Sequence, residues 1–468
     1  MFKHRIYIYI IIFFALTGIT AFIYWFQHDP VADFTANEPG QDNRPPRSAD
    51  TSDNVIIGEK FAFSEELKTS LTGKWNRFRG ADFDNINKEN IKLIDKFEGE
   101  PKIVWKLELG EGHAAPAIYN GKVYILDYNE AKKADVLRCL SLETGKELWK
   151  RWYNVHIKRN HGISRTIPAV TDKYVVTIGP KGHVMCCNSA NGDFLWGIDI
   201  QKQYNSEIPF WNTGQCPLID NDIAIIATGG KALVIGVECA TGKILWETPN
   251  PDNWKMSHSS IMPMILNGQK NYVYAAIGGI CGISESGKLL WKTIEFAPSV
   301  VAPSPVILDD GKIFITAGYS FGSMLFQVSG NTVKVLQKFK PTEGMACEQQ
   351  TPVLYNGFLY SIQPKDAGAS RNQFVCCKKD DCTKFVYTSG NDSRFGLGPY
   401  IIADNNFFIV DDDGTLSIIK LSTDKFELLD KKRILDGQDA WGPIAIADGY
   451  LLMRDSKQMV CVDIRKLN

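Results

Sequence analysis

From about residue 115 onward the chain alternates short apolar runs with turn residues. Residues 115–149 show the unit. They read A-A-P-A-I-Y-N-G-K-V-Y-I-L-D-Y, then a polar insertion, then L-R-C-L-S-L-E-T-G-K-E-L-W. Asn120-Gly121 is a two-residue hairpin signal, because both residue types tolerate positive φ. Glu143-Thr144-Gly145-Lys146 is a second turn, leading into Leu148-Trp149. Apolar runs of this length between such turns predict a small antiparallel meander of about four strands. One such sheet cannot bury both of its faces, and the chain answers by repeating it.

The proline that opens the first strand recurs as Pro116, Pro168, Pro217, Pro263, Pro305, Pro352, Pro399 and Pro443, at spacings of 42–52 residues. Each is followed by an apolar run, a Gly/Asn/Asp turn and a second apolar run. The far end of the unit recurs as Thr144-Gly145-x-x-x-Trp149, Asn191-Gly192-x-x-x-Trp196, Thr241-Gly242-x-x-x-Trp246 and Ser286-Gly287-x-x-x-Trp291. A period in the forties with four strands per unit marks propeller blades. The eighth unit stops at Val460-Cys461-Val462-Asp463, before any Trp strand. Ile103-Val104-Trp105-Lys106-Leu107-Glu108-Leu109 supplies the missing strand upstream. The expectation is an all-β chain, an eight-bladed propeller of four-stranded antiparallel blades closed by an N-terminal strand, which leaves no exposed edge between the chain ends.

The first residues follow another pattern. Lys3-His4-Arg5 precede 21 uncharged residues, 6–26, ending in Tyr24-Trp25-Phe26. That length spans a hydrocarbon core, and the aromatic end suits an interface. A cleaved signal peptide is the competing reading. The anchor reading sets three segments: residues 1–27 as one transmembrane helix, 28–74 as a flexible polar tether with a short helix near Ser64-Glu65-Glu66-Leu67, and 75–468 as the propeller. Basic residues before the span keep that end inside, so the propeller lies outside the cytoplasm.

Composition adds exclusions. A net charge of −1 with no long basic run gives no attraction to nucleic acid. The 11 cysteines include no C-x-x-C, so neither a thioredoxin motif nor c-type haem attachment applies. Cys186-Cys187 and Cys376-Cys377 are vicinal. The first of each falls at the blade position of Cys139, Cys281 and Cys461, which reads as a small-residue packing site, with a redox or cofactor role as the other reading. Asp411-Asp412-Asp413-Gly414 lacks the spacing of an EF-hand loop and reads as a solvated turn rather than a calcium site. Trp149, Trp196, Trp246 and Trp291 read as blade-to-blade packing rather than ligand platforms.

The T-G-K-x-x-W units resemble the pyrroloquinoline-quinone-type (PQQ-like) β-propeller repeat. That family includes quinoprotein alcohol dehydrogenases and the propeller lipoprotein of the outer-membrane assembly machinery. The resemblance covers residues 75–468 and weakens in units five to seven, where the Trp is replaced. Trp75-Asn76-Arg77-Phe78-Arg79-Gly80 is similar to the W-x-x-F-R-G lead-in of bacterial extracytoplasmic members. The resemblance implies a single-pass protein of the bacterial inner membrane with its propeller in the periplasm. It also implies two possible activities, a binding module or a quinone-dependent oxidoreductase. The latter needs PQQ, a calcium ion held by carboxylate and amide oxygens, an Asp base and a vicinal disulfide stacked on the ring. No Glu, Asn and Asp set here matches those ligands, so no cofactor and no catalytic residue or metal ligand is assigned; PQQ with calcium belongs to the alternative alone.

The segments just before the opening prolines are rich in functional side chains. His113, His161, Arg165, Trp211, Asn212, His258, Glu348, Gln349, Gln350, Arg394 and Trp441 all fall there, with His156, Arg159, Trp254 and Asp439. These segments should meet on one rim of the ring, whose working partner is another protein or a small ligand. The other reading is that long loops collect polar residues that tie neighbours together. Lys181 and Asp412, in hairpin turns, are expected on the opposite rim.

Overall fold

The computed structural model describes residues 2–27 and 54–466. The chain divides into two units, Met1–Asn54 and Val55–Asn468. In the first, Phe2–Gln27 is a helix. Its portion Arg5–Gln27, with a mean hydropathy of 2.4, is long and apolar enough to cross a membrane. Residues 28–53 of the expected tether lie outside the described residues.

The second unit is an eight-bladed β-propeller. Each blade is built on a four-stranded antiparallel sheet, and the last is completed by Ile103–Glu108. That strand runs antiparallel to Gln458–Asp463, with Trp105 opposite Cys461. The ring is therefore closed by the strand that the sequence places upstream.

Register explains the Trp and Gly repeats. Trp149, Trp196, Trp246, Trp291 and Trp105 lie opposite Cys139, Cys186, Gly236, Gly282 and Cys461, each just before a bulge. A large residue there would collide with the indole; a Cβ on Gly236 would stand 2.1 Å from Trp246. Cys281 thus differs from expectation. Gly282 holds the small-residue place and Cys281 faces Lys292. The turn glycines serve the neighbouring blade. Gly145, Gly192, Gly242 and Gly287 have φ of 68–83°. Cβ atoms on them would stand 2.7, 2.6, 2.7 and 2.5 Å from Trp105, Trp149, Trp196 and Trp246. These four indoles dock on the turn of the following blade, which is why Gly and Trp recur together, while Trp291 packs edge-on against Phe326 of blade 5. In blades 5, 6 and 7, Gln337, Tyr387 and Asp430 stand where the Trp would be.

The opening prolines are less regular than their spacing suggests. Counting from the small-residue position, Pro116, Pro168, Pro217, Pro305 and Pro352 are equivalent. In blade 4 the first hairpin is longer, so Ile261 takes the place and Pro263 pairs with Tyr272 inside the strand. In blades 7 and 8 the place falls to Tyr400 and Ile444, one residue after the proline.

The N-terminal lead-in departs most from expectation. Residues 55–74 form neither a helix nor a continuation of a free tether. Lys60–Phe63 is a strand on the outer edge of blade 1, with Phe61 opposite Arg151, so the blade's exposed edge recruits it. Lys74–Trp75 then pairs with Ala117–Tyr119 on the innermost edge of the same blade. From there the chain crosses the channel. Asn76 donates to Val170 O at 2.6 Å, Arg77 to Ile219 O at 3.3 Å and Asn87 to Ile446 O at 2.8 Å. Ile86–Asn87 pairs in parallel with Tyr400–Ala403. Arg79, almost fully buried, donates to Thr351 O and Pro352 O at 2.9 and 3.0 Å. Inner strands have one unpaired edge, and these side chains satisfy carbonyls that water would otherwise have to reach.

Candidate functional site

A four-stranded meander sends its first and third turns to one rim. Its middle turn and the connection to the next blade go to the other. The segments before the inner strands therefore share a rim with the middle hairpin turns. This overturns the placement of Lys181 and Asp412 on the opposite rim. Leu397 N donates to Asp412 Oδ1 at 2.8 Å, Ala440 N to Asp412 O at 3.1 Å, and Thr213 N to Pro180 O at 3.0 Å. Nor is Asp412 a free turn residue, since burial raises its carboxyl above the usual range.

The throat on this rim is held by hydrogen bonds that pass from blade to blade. Ile167 N donates to Cys216 Sγ at 3.3 Å, and Cys216 N to Ser260 Oγ at 2.9 Å. Ser260 N donates to Ser304 Oγ at 2.9 Å, and Ser304 N to Thr351 Oγ1 at 2.8 Å. The equivalent residues of blades 7, 8 and 1 are Pro399, Pro443 and Ala115, which have no such acceptor. There Gln350 reaches across to Trp441 O at 3.1 Å. Above the belt lies a cavity of about 370 Å³, and Phe78 of the lead-in contributes to its lining. Because the lead-in crosses the channel, the cavity is a cup rather than a pore.

Nine of the eleven candidate residues line this cup. His113 is buried, and its ring stands edge-on to Trp441 with centroids 4.6 Å apart. Its Nδ1 has no hydrogen-bond partner among the described residues. Trp211 stacks on Tyr319 at 5.9 Å and 7°, and lies 6.2 Å from the His258 ring. Gly214 leaves room for that imidazole, since a Cβ there would stand 2.7 Å from Nδ1. His161, Arg165, Glu348, Gln349 and Gln350 complete the nine.

Asn212 and Arg394 lie elsewhere. Asn212 is buried at a φ of 68° and its amide closes a turn onto Pro209 O, so it shapes the loop that presents Trp211. Arg394 donates to Arg371 O and to Asn391 Oδ1 within its own blade. Of the further rim residues, Arg159 is taken by an ion pair with Glu111 at 2.6 Å, and Trp254 is buried against Gly278 and Gly279.

Charge in the cup is set by burial and by Arg165. Burial first, then the charges of Arg165 and Arg454, push the His113 imidazole down to about 3. Burial and Arg165 push His258 down to about 4. Both are neutral at pH 7. Burial lowers Arg165 itself only to about 10, so it stays charged. Burial raises the Glu348 carboxyl, partly offset by Lys365.

Sequence reasoning missed Phe78, Tyr319 and Lys365, which also line the cup. Tyr319 and Lys365 sit in the middle turns of blades 5 and 6, after Lys312–Ala317 and Phe358–Ile362. Counting turns along the meander would have put them on this rim. Phe78 gave no such signal.

The quinone site does not fit. Glu348 is the one carboxylate residue lining the cup. Among the described residues no group of three or more His, Cys, Asp or Glu is arranged to hold a metal ion. Calcium needs six to eight oxygen ligands. The cysteines are buried thiols, and burial raises Cys187 and Cys376 to about 12. Both vicinal pairs lie in blade interiors, not at the cup.

Solved structures share this fold at low identity. BamB from Moraxella catarrhalis is 11% identical with a TM-score of 0.52, over 78% of this chain and 100% of that one. The quinohemoprotein alcohol dehydrogenase from Comamonas testosteroni is 11% identical with a TM-score of 0.57, over 84% and 81%. A europium-containing methanol dehydrogenase is 12% identical with a TM-score of 0.53, over 83% and 89%. These likenesses show the fold alone. Among curated proteins no sequence matches. The family profile described as outer membrane protein assembly factor BamB matches residues 132–381, more than half of the chain, and the chain belongs to that family.

Proposed function

We propose that the chain is a membrane-anchored, extracytoplasmic binding module that holds another protein or a small ligand in the cup without catalysis. The observation that carries this reading is convergence. Side chains from the approaches to all eight blades line one cavity, and they include the aromatic and Arg types that dominate binding hot spots. The family's description, an assembly factor, supports an interaction role. The apolar helix and the basic residues before it support a bacterial inner-membrane anchor with the ring in the periplasm. The alternative, a quinone-dependent oxidoreductase, is disfavoured by the donor set of the cup.

A photo-crosslinking residue at Gln349 of the full chain, expressed in cells, tests the binding reading. The control position is Lys243, exposed in a turn of the opposite rim. A defined adduct from Gln349 and none from Lys243 is expected. Equal adducts from both, or none from Gln349, would overturn it. Retention of PQQ and calcium by the purified chain, with alcohol-dependent dye reduction, would establish the alternative. Recovery of the full chain in carbonate-washed membranes checks the anchor, and a species shortened by the first 26 to 42 residues would refute it.

A further inference from the structure

We propose that the cup receives the C-terminal carboxylate of a polypeptide, with Arg165 as the residue that binds it. The inference rests on the reading of the cup as the binding face and names what enters it.

The cup is blind. The lead-in crosses the channel beneath it, from the strand pair at Lys74–Trp75 to the Arg79 hydrogen bonds on the far side. A strand cannot thread through, so a chain that enters must enter by an end or a side chain. A cavity of about 370 Å³ is at the small end of ligand sites and suits a chain end.

The charge selects which end. Among the described residues no carboxylate pairs with Arg165, although its guanidinium is half-buried. One terminal nitrogen is held by the carbonyl oxygens of Asn160 and His161. The Nε–H is buried and has no partner. A half-buried guanidinium without a counter-ion is costly, and a carboxylate in the cup would supply the opposite charge and acceptors for its terminal nitrogens. Lys365 adds a second cation at the lining and Glu348 a single opposing acid, while His113 and His258 are uncharged at neutral pH. An ammonium terminus would meet this positive field unfavourably.

The residues preceding the carboxylate have a surface prepared for them. Phe210, Trp211 and Tyr319 form a continuous aromatic strip, with Phe210–Trp211 centroids 5.4 Å apart. Phe210 is 79% and Tyr319 57% exposed. A small acid confined to the cup would leave this strip in water; a polypeptide covers it. Phe78 and Trp441 in the lining favour an apolar or aromatic last residue.

The test uses the full chain in detergent and a fluorescein-labelled pool of octapeptides ending in Phe, by anisotropy. Three arms are compared: the free acid, the same pool amidated at its C-terminus, and unlabelled benzoate as competitor. The free acid should bind, and amidation or Arg165→Ala should each weaken it at least about tenfold. Arg165→Lys should fall between, because an ammonium keeps the charge and loses the fork. Lys243→Ala should change nothing, and unchanged melting temperatures keep the Arg165 variants interpretable. Equal binding of acid and amide would overturn the carboxylate. Arg165-dependent binding of benzoate with no peptide binding would overturn the polypeptide in favour of a small acid. Absence of binding in every arm, with the Gln349 adduct still formed, would overturn this inference and leave the binding reading standing; loss of both would remove the reading itself.

Discussion

The amide of Cys216 donates to the hydroxyl of Ser260, 2.9 Å away in the next blade, and the amide of Ser260 repeats the arrangement with Ser304. The belt converts the throat of the cup into a hydrogen-bonded ring segment running from Ile167 to Thr351. Ser260→Ala leaves the buried Cys216 amide without an acceptor. Its expected cost is about 2 kcal/mol, within the range for an orphaned buried donor. A shift of the urea midpoint at unchanged slope checks it. A cost below about 0.5 kcal/mol would mean that water or the thiol replaces the hydroxyl.

Arg79 holds the floor. Besides Thr351 O and Pro352 O it donates to Phe83 O at 2.9 Å and Asp84 O at 3.3 Å. Arg79→Met keeps the apolar stem and removes every one of these donors. The expected loss is about 3 kcal/mol or more, since several buried carbonyls lose their partner together. Arg79→Lys should recover little of it, because one ammonium cannot serve the lead-in carbonyls of Phe83 and Asp84 and the blade 6 carbonyls of Thr351 and Pro352 together. Equilibrium unfolding of both variants checks the ranking; a fully stable Arg79→Met would show that the lead-in is held by its strand pairings alone.

Trp105 is the second keystone. Its indole donates to Leu142 O at 2.7 Å and lies on Gly145 of blade 1, while its strand belongs to blade 8. Trp105→Ala should cost about 3–5 kcal/mol, the scale for a large buried aromatic. Removing residues 101–110 should lower the melting temperature further by opening the ring. A deletion that melts like the intact chain would refute closure by this strand.

Much of this architecture was legible because it repeats. The docking of Trp149 on Gly192 and of Trp196 on Gly242 needs the same two residues at the same spacing, which blades 1 to 4 supply, so the sequence displays the interface as a period. The convergence of His113, Arg165 and Trp441 followed from the same period. The lead-in was not legible, because it occurs once. Nothing in Trp75-Asn76-Arg77-Phe78-Arg79-Gly80 shows that its partners are carbonyls up to 273 residues away. The error over Pro263 has a similar cause, since a hairpin lengthened by paired residues preserves the Pro-to-turn spacing while moving the strand. Asn212 and Arg394 share the composition of the rim, but the hydrogen bonds of Asn212 stay inside its own loop and those of Arg394 inside its own blade.

The cup should weaken the protein in acid. His113 titrates near 3 in the folded state against an ordinary value of 6.5, because burial and the charges of Arg165 and Arg454 oppose protonation. A histidine whose folded value is depressed contributes stability that is complete above 6.5. That contribution is lost as pH falls from 6.5 toward 3, where the unfolded chain binds the proton first. At pH 5 the loss from His113 is about 2 kcal/mol, from a pH about 1.5 units below the unfolded value at roughly 1.4 kcal/mol per unit. His258, held near 4 by burial and Arg165, adds a loss of nearly the same size at pH 5, common to the wild type and a His113 variant. Glu348, whose carboxyl burial raises, acts in the opposite sense. Its contribution is common to wild type and variant and cancels in the comparison. Urea midpoints at pH 8 and pH 5 for the wild type and His113→Gln therefore isolate the imidazole. The wild type should lose about 2 kcal/mol more than the variant between the two pH values. Parallel losses in both proteins would mean that His113 is solvated well enough to protonate in place, and that the cup is wetter than its buried lining implies.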